Sequence, residues 1–267
     1  MGIMHGFIPQ DTDEKDVIEI ITSFKDTYRN RPDLTLFYNL LYDPVRQDGI
    51  EEYRGFYVAK NILREELQFD TNSKPGDFDI IFIPFNDEKL FYDRTAVFEV
   101  KIARPYFDKP NKNSNSLGET QLKGLIEDGF PLVGLLHVCT PFPLSEKQAS
   151  WINVATCPVN IDGRIKKNAK KSYSNKYELQ RFDWLPTHAI HSQMKRLITA
   201  GFPKYVGINA FALTKNPDGR HNIHSSFEYK GYTSGYFNPQ KKERTVKSVE
   251  NHFLEFGTKR YTKLEIW

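Results

Sequence analysis

Apolar positions along the chain change rhythm several times. Between residues 12 and 29, Val17, Ile20, Ile21, Phe24 and Tyr28 recur at helical spacing behind acidic residues, which predicts an amphipathic helix packed on the core. From Ile50 to Phe69 the spacing predicts a second helix, with Phe56, Ala59, Leu63 and Leu67 near one face and Glu52 on the same stripe. The period then shortens. Pro75-Gly76-Asp77-Phe78-Asp79 opens the run Ile80 to Ile83, a polar turn passes through Asn86 to Lys89, and a second run from Ala96 ends in Glu99-Val100-Lys101. Both runs are rich in Ile, Phe and Val and too short for an ordinary helix, so they are predicted to be strands of a hairpin centred near Lys89.

Beyond the hairpin, Ile102 to Asn115 has the Lys, Pro and Asn content of a loop. Ser116-x-x-Glu119 then has the form of a capping box opening a helix to about Asp128, with Gly129 as its stop, and Leu132 to Cys139 is an apolar strand. Strand, helix, strand over this length is a crossover, which predicts parallel pairing within one sheet. Residues 141–186 are weakly patterned. Ile190, Met194, Leu197 and Ile198 predict a helix over 187–200, Lys204 to Leu213 a strand, and Lys241 to Phe256 a basic helix before a short apolar tail, Leu264 to Trp267. Tyr229, Tyr232 and Tyr236 offer rings on which bases stack, although alternating aromatics more often face a core. No repeat and no linker is evident, so residues 1–267 are expected to form a single α/β domain.

The hairpin also carries chemistry. Asp79 and Glu99 are equally distant from the turn and so face each other across it, about 5 Å apart in such pairs. Glu99 and Lys101 share a face while Val100 points away. Two carboxylates at that distance repel unless a cation lies between them, and oxygen-only ligands suit a hard ion such as Mg2+ or Mn2+. Lys101 beside them could orient a water or stabilise a pentavalent phosphate, which makes the set suited to phosphodiester hydrolysis. The plainer account is an Asp79–Lys101 salt bridge at a sheet end with Glu99 in solvent. Against it, Glu99 and Lys101 interrupt a strongly apolar strand, where unpaired charge is costly.

Asp79 followed by Glu99-x-Lys101 resembles the PD-(D/E)XK nuclease superfamily, over roughly residues 50–140. The resemblance implies a restriction-endonuclease-like core, a mixed central sheet flanked by helices, with an N-terminal helical extension (1–49) and a C-terminal elaboration (141–267). It implies a Mg2+-dependent deoxyribonuclease, with Mn2+ able to substitute, of restriction, defence or mobile-element type. An exonuclease and a non-catalytic nucleic-acid-binding module on the same fold are the alternatives. In that reading Asp79 and Glu99 hold the metal together with Val100 and with Glu52 from the first helix, and Lys101 steers water and phosphate. Gln121, in the first turn of the crossover helix, positions metal or phosphate. Glu52 could equally serve the helix dipole, and Gln121 could be a neutral surface residue. Asp77 shares a face with Asp79, which is preferred because it directly enters the strand. Cutting both strands of a duplex would call for a homodimer, and a defence or mobile-element system would supply protein partners.

Composition adds less. A formal charge of +3 is too small to imply a polyanion partner, so that expectation rests on Arg164, Lys166, Lys167, Lys170, Lys171 and Lys176, which follow one another without an acid and with Tyr173 interleaved. A solvated surface loop explains them equally well. Cys139 and Cys157 form no CxxC pair and suit a reducing compartment. With neither a signal-peptide pattern nor a bilayer-length apolar run, a cytoplasmic location is expected. His188-x-x-His191 and His221-x-x-His224 are weak zinc candidates without a CxxC, and no P-loop or nucleophile elbow is present.

Overall fold

A computed structural model of the chain describes residues 8–9, 11–24, 37, 53–71, 76–87, 89–114, 116–155, 177–216, 218–225 and 235–265. Helix α1 (Glu14–Ser23) begins behind Asp13, whose Oδ1 accepts the Asp16 N–H at 2.8 Å and so satisfies a donor the helix cannot. Three strands follow, β1 (Gly55–Ile62), β2 (Phe78–Phe85) and β3 (Ala96–Ala103). Next come α2 (Glu119–Asp128), β4 (Leu132–Cys139), β5 (Ser150–Ala155), β6 (Tyr177–Phe182) and α3 (Leu185–Thr199). The series ends with β7 (Val206–Lys215), β8 (His221–Ser225), α4 (Glu243–Phe256) and β9 (Tyr261–Glu265).

The fold is mixed α/β. Among the described residues seven strands form one sheet in the order β8-β7-β4-β3-β2-β1-β9, and β5 pairs with β6 as a separate antiparallel ribbon. β1, β2 and β3 make an antiparallel meander, whereas β3, β4 and β7 run parallel. The predicted hairpin is present: Ile80 pairs with Phe98, Ile81 with Val97 and Phe82 with Ala96, a register centred on Lys89. The α2 crossover returns β4 beside β3, with Lys101 opposite His137.

The sheet is covered on both faces, so its central strands are apolar nearly throughout. Val17, Ile18 and Ile21 of α1 pack with Val58, Ile80, Phe82, Phe98 and Val100 on one side. Residues Leu122 and Leu125 of α2, Met194 and Leu197 of α3 and Val249 of α4 pack with Ile81, Ile83, Val97 and Leu135 on the other. Among the described residues no helix is long and apolar enough to cross a membrane.

Two expectations are overturned here. The described part of the stretch expected to be a helix, 53–69, is not one: Gly55–Ile62 is strand β1, held between β2 and β9 and buried on both faces, and Leu63, expected on the core side, is 48% exposed. A Cβ on Gly55 would come within 2.1 Å of the Leu264 carbonyl oxygen, so the close approach of β9 requires glycine there. The capping box also fails to form. Helix α2 starts at Glu119 behind Gly118, whose φ of 82° takes the chain out of the geometry a Ser116 cap would need, and Glu119 instead pairs with Lys123 at 2.9 Å.

Candidate active site

The site lies where β2 begins and β3 ends. Carrying the register one step beyond Ile80 and Phe98 sets Asp79 against Glu99, and strand alternation sends Asp79, Glu99 and Lys101 to the face that α2 covers. Asp79 Oδ2 accepts the backbone N–H of Val100 at 2.7 Å. Glu99 is 3% exposed, and its Oε1 lies 2.6 Å from Lys101 Nζ. A further carboxylate reaches the same ammonium from α1: Glu14 Oε1 is 3.8 Å from Lys101 Nζ. Because Asp13 caps the helix, Glu14 is its first residue, at the end of α1 from which side chains lean back toward the N-terminus.

Burial and mutual repulsion set the charge states. Burial raises the Asp79 pKa to about 8, with Glu99 and Glu14 adding to the rise and the Val100 N–H and Lys101 opposing it. Glu99 is raised by burial and by Glu14, against Lys101, and Glu14 by burial against Lys101 and Arg104. Burial works against the Lys101 ammonium, yet Glu99, Glu14 and Asp79 outweigh it and hold its pKa above the ordinary value. Three acids thus share the Lys101 ammonium, an excess of two negative charges when all are ionised.

The surroundings are built to keep this group in place. Gly118 lies against the site: a Cβ there would meet Leu135 Cδ1 at 2.9 Å, Lys101 Cγ at 3.4 Å and Glu99 Cγ at 3.6 Å, so its lack of a side chain lets α2 start directly over the acid–lysine stems. His137, beside Lys101 on β4, is fully buried, with Nδ1 3.0 Å from Gln193 Oε1 and Nε2 3.3 Å from the Leu117 carbonyl. Burial holds its pKa below the usual value, and a neutral ring has one N–H to give, so His137 donates to one of these two oxygens, to the loop before α2 or to α3. Gln193 in turn donates to Asn113 Oδ1 at 3.2 Å.

Of the residues singled out by sequence, Asp79, Glu99 and Lys101 are brought together. Val100 buries its side chain in the opposite core, so it can join a metal site only through its backbone. Gln121 lies against the entry to β2, its Cγ 3.3 Å from where a Gly76 Cβ would be. Asp77 is exposed and accepts the Arg64 backbone N–H at 3.3 Å. Glu52 and the basic set Lys166, Lys167, Lys170 and Lys171 lie outside the described residues. Glu14 was not singled out. Its signal was the acid-rich start of the first amphipathic helix, and that helix, rather than 50–69, precedes the meander.

The donor set suits a hard cation: the acids are oxygen ligands with surplus negative charge. Among the described residues no three His, Cys, Asp or Glu side chains form a closed metal-holding set. An ion bound through Asp79 and Glu99 would complete its shell from solvent and substrate oxygens, the usual habit of Mg2+. His188 instead bonds Asn111 at 2.7 Å and His224 bonds Thr214 at 2.8 Å. In comparisons with known proteins, no family model, curated protein or solved structure matches the chain.

Proposed function

We propose that this chain is a Mg2+-dependent nuclease that hydrolyses phosphodiester bonds in DNA, on a restriction-endonuclease-like core. The observation that carries the reading is the buried convergence of Asp79, Glu99 and Lys101 on one face, with Lys101 Nζ 2.6 Å from Glu99. The order of elements supports it as well: helix α1, the β1-β2-β3 meander, α2, and β4 parallel to β3 follow the sequence of that core.

In this reading Asp79 and Glu99 hold the cation, with the Val100 backbone between them and Glu14 at the margin. When bound, Mg2+ or Mn2+ supplies the charge that ionises the acids and polarises a phosphoryl oxygen. Lys101 acts as a fixed cation rather than a base, because three neighbouring acids keep it protonated; its ammonium orients the attacking water and stabilises negative charge on phosphate. Gln121, at the mouth of the hairpin, donates to a phosphate oxygen. The endonuclease and defence-system assignments, like the dimer that double-strand cutting needs, rest on the family resemblance.

A second reading, a nucleic-acid-binding module without catalysis, is favoured by the fact that Glu99 already pairs with Lys101 and Asp79 with the Val100 N–H. The two separate on supercoiled plasmid and single-stranded circles incubated with wild type and Lys101→Ala in Mg2+, Mn2+ or EDTA. Metal-dependent nicking lost in the variant supports the nuclease. Cutting confined to linear DNA makes it an exonuclease, and binding without cutting in any metal leaves the module.

A further inference from the structure

The β5–β6 ribbon stands apart from the main sheet and presents large apolar side chains to solvent. Trp151 pairs with Arg181 and Asn153 with Leu179, so these four share one face; Trp151 is 58% exposed and Leu179 65%. Glu178, paired with Val154, belongs to the other face. The Arg181 guanidinium carbon lies 4.0 Å from the centre of the Trp151 ring, while Nη1 donates to the Ala149 carbonyl at 3.3 Å. Among the described residues the open face thus carries a planar cation stacked on an exposed indole and no acid.

The ribbon is firmly based and well located. Buried Asp183 accepts the Leu144 and Leu185 N–H groups at 3.1 and 3.0 Å, and Trp184 Nε1 donates to the Gln148 carbonyl at 3.3 Å. The chain leaving β4 toward the ribbon runs beside the chain leaving β3 just past Lys101, with Thr140 N–H bonded to the Ala103 carbonyl at 2.8 Å and Phe142 N–H to that of Pro105 at 2.9 Å. The ribbon therefore springs from the end of the sheet that bears the acid–lysine group. The 21 residues joining its strands hold six basic residues from Arg164 to Lys176 and one acid, Asp162, a net +5 in a chain whose total is +3. Positive charge and an exposed aromatic face are tethered together.

We infer that the Trp151–Arg181 face of the ribbon is a binding site for single-stranded nucleic acid, in which an unpaired base stacks on Trp151 and Arg181 contacts the adjacent phosphate. Stacking on an indole tolerates any base, and the Arg181 guanidinium on the phosphate supplies a salt-dependent part of the affinity. The inference rests on the nuclease reading only for the direction in which the strand is led, toward Lys101.

The test is fluorescence anisotropy of a labelled oligothymidine of about 16 nucleotides with the full wild-type chain, in EDTA so that nothing is cut. Adding Trp151→Ala is expected to weaken binding about tenfold, Trp151→Phe to recover most of it, and Arg181→Glu to weaken it and flatten its salt dependence. A blunt duplex, whose bases are already stacked, should respond much less to Trp151→Ala. Circular dichroism confirms folding, which an exposed ribbon residue should not alter. Unchanged oligothymidine binding in both Trp151→Ala and Arg181→Glu overturns the inference, as does an equal loss for oligothymidine and polyvinyl sulfate, which reports charge without stacking. Cleavage by the wild type is scored separately: Trp151-dependent binding without cleavage sinks the nuclease and keeps the ribbon, whereas cleavage with Trp151-independent binding does the reverse.

Discussion

Asp79 accepts the Val100 backbone N–H at 2.7 Å, so a carboxylate on one strand is fixed to the strand that carries Glu99 and Lys101. This bond favours the ionised acid, but burial and the Glu99 charge outweigh it and move the pKa from 3.8 to about 8. Between those values the folded chain keeps a proton that the unfolded chain has released, so stability falls as pH rises through that window. In Asp79→Asn the amide oxygen still accepts the Val100 N–H and nothing ionises. Thermal unfolding followed from about pH 4 to about pH 8 should therefore fall less steeply in the variant than in the wild type. Parallel profiles would show that Asp79 does not titrate in this way.

Lys101 answers for more than one acid. Replacing it with Met strands buried Glu99, at a cost of about 3–5 kcal/mol where both partners would be charged. The loss should shrink toward low pH, as Glu99 takes up a proton, and Glu99→Gln on the Lys101→Met background should restore much of it. Denaturant unfolding of the double-mutant cycle gives the coupling directly; additive effects would mean that the two side chains do not support one another.

Glu14 is expected to tune the cation requirement of the proposed nuclease rather than the fold. Glu14→Gln removes one acid from the shared field, so the Mg2+ concentration for half-maximal cleavage should rise about tenfold. Its melting temperature should hold or increase, because a carboxylate disfavoured by burial has gone. A Mg2+ titration of plasmid nicking decides the first point, and a variant indistinguishable from wild type would remove Glu14 from the site.

Gly118 tests the packing over that site. At φ 82°, and with a Cβ due 2.9 Å from Leu135 Cδ1, Gly118→Ala incurs both backbone strain and overlap. A loss of about 1–3 kcal/mol is expected. Cleavage should decline with it, since relief by movement of α2 draws Gln121 away from the hairpin. An alanine variant as stable as the wild type would mean that the turn relaxes freely.

The hairpin was legible because local signals agree: Pro75-Gly76 opens it, two apolar runs flank a polar turn, and the midpoint near Lys89 dictates which residues meet. The crossover helix was legible for the same reason. β1 was not, because a strand buried on both faces loses its alternation, and Phe56, Ala59, Leu63 and Leu67 then mimic a helical stripe. What makes that stretch a strand is β9, about two hundred residues away, which no local pattern reveals. The ribbon was hidden by an inversion: Trp151 and Leu179 face water, where a strand pattern expects polar residues. Of the site, the acids and lysine on the hairpin were readable from spacing alone. Glu14 became visible only once α1 was seen packed over β1, β2 and β3, because that contact joins parts of the chain more than eighty residues apart.

The pairing of β9 with β1 also orders events during synthesis. Gly55 to Ala59 are among the first sheet residues to leave the ribosome, and their outer hydrogen-bonding edge finds its partner only when Tyr261 to Glu265 have followed. Until then an apolar strand offers free N–H and carbonyl groups to any neighbouring chain, the circumstance in which edge-to-edge association begins. Nascent chains halted before Tyr261 would accordingly be held in check by chaperones or lost to aggregation, while the β2–β3 hairpin further in could already have formed.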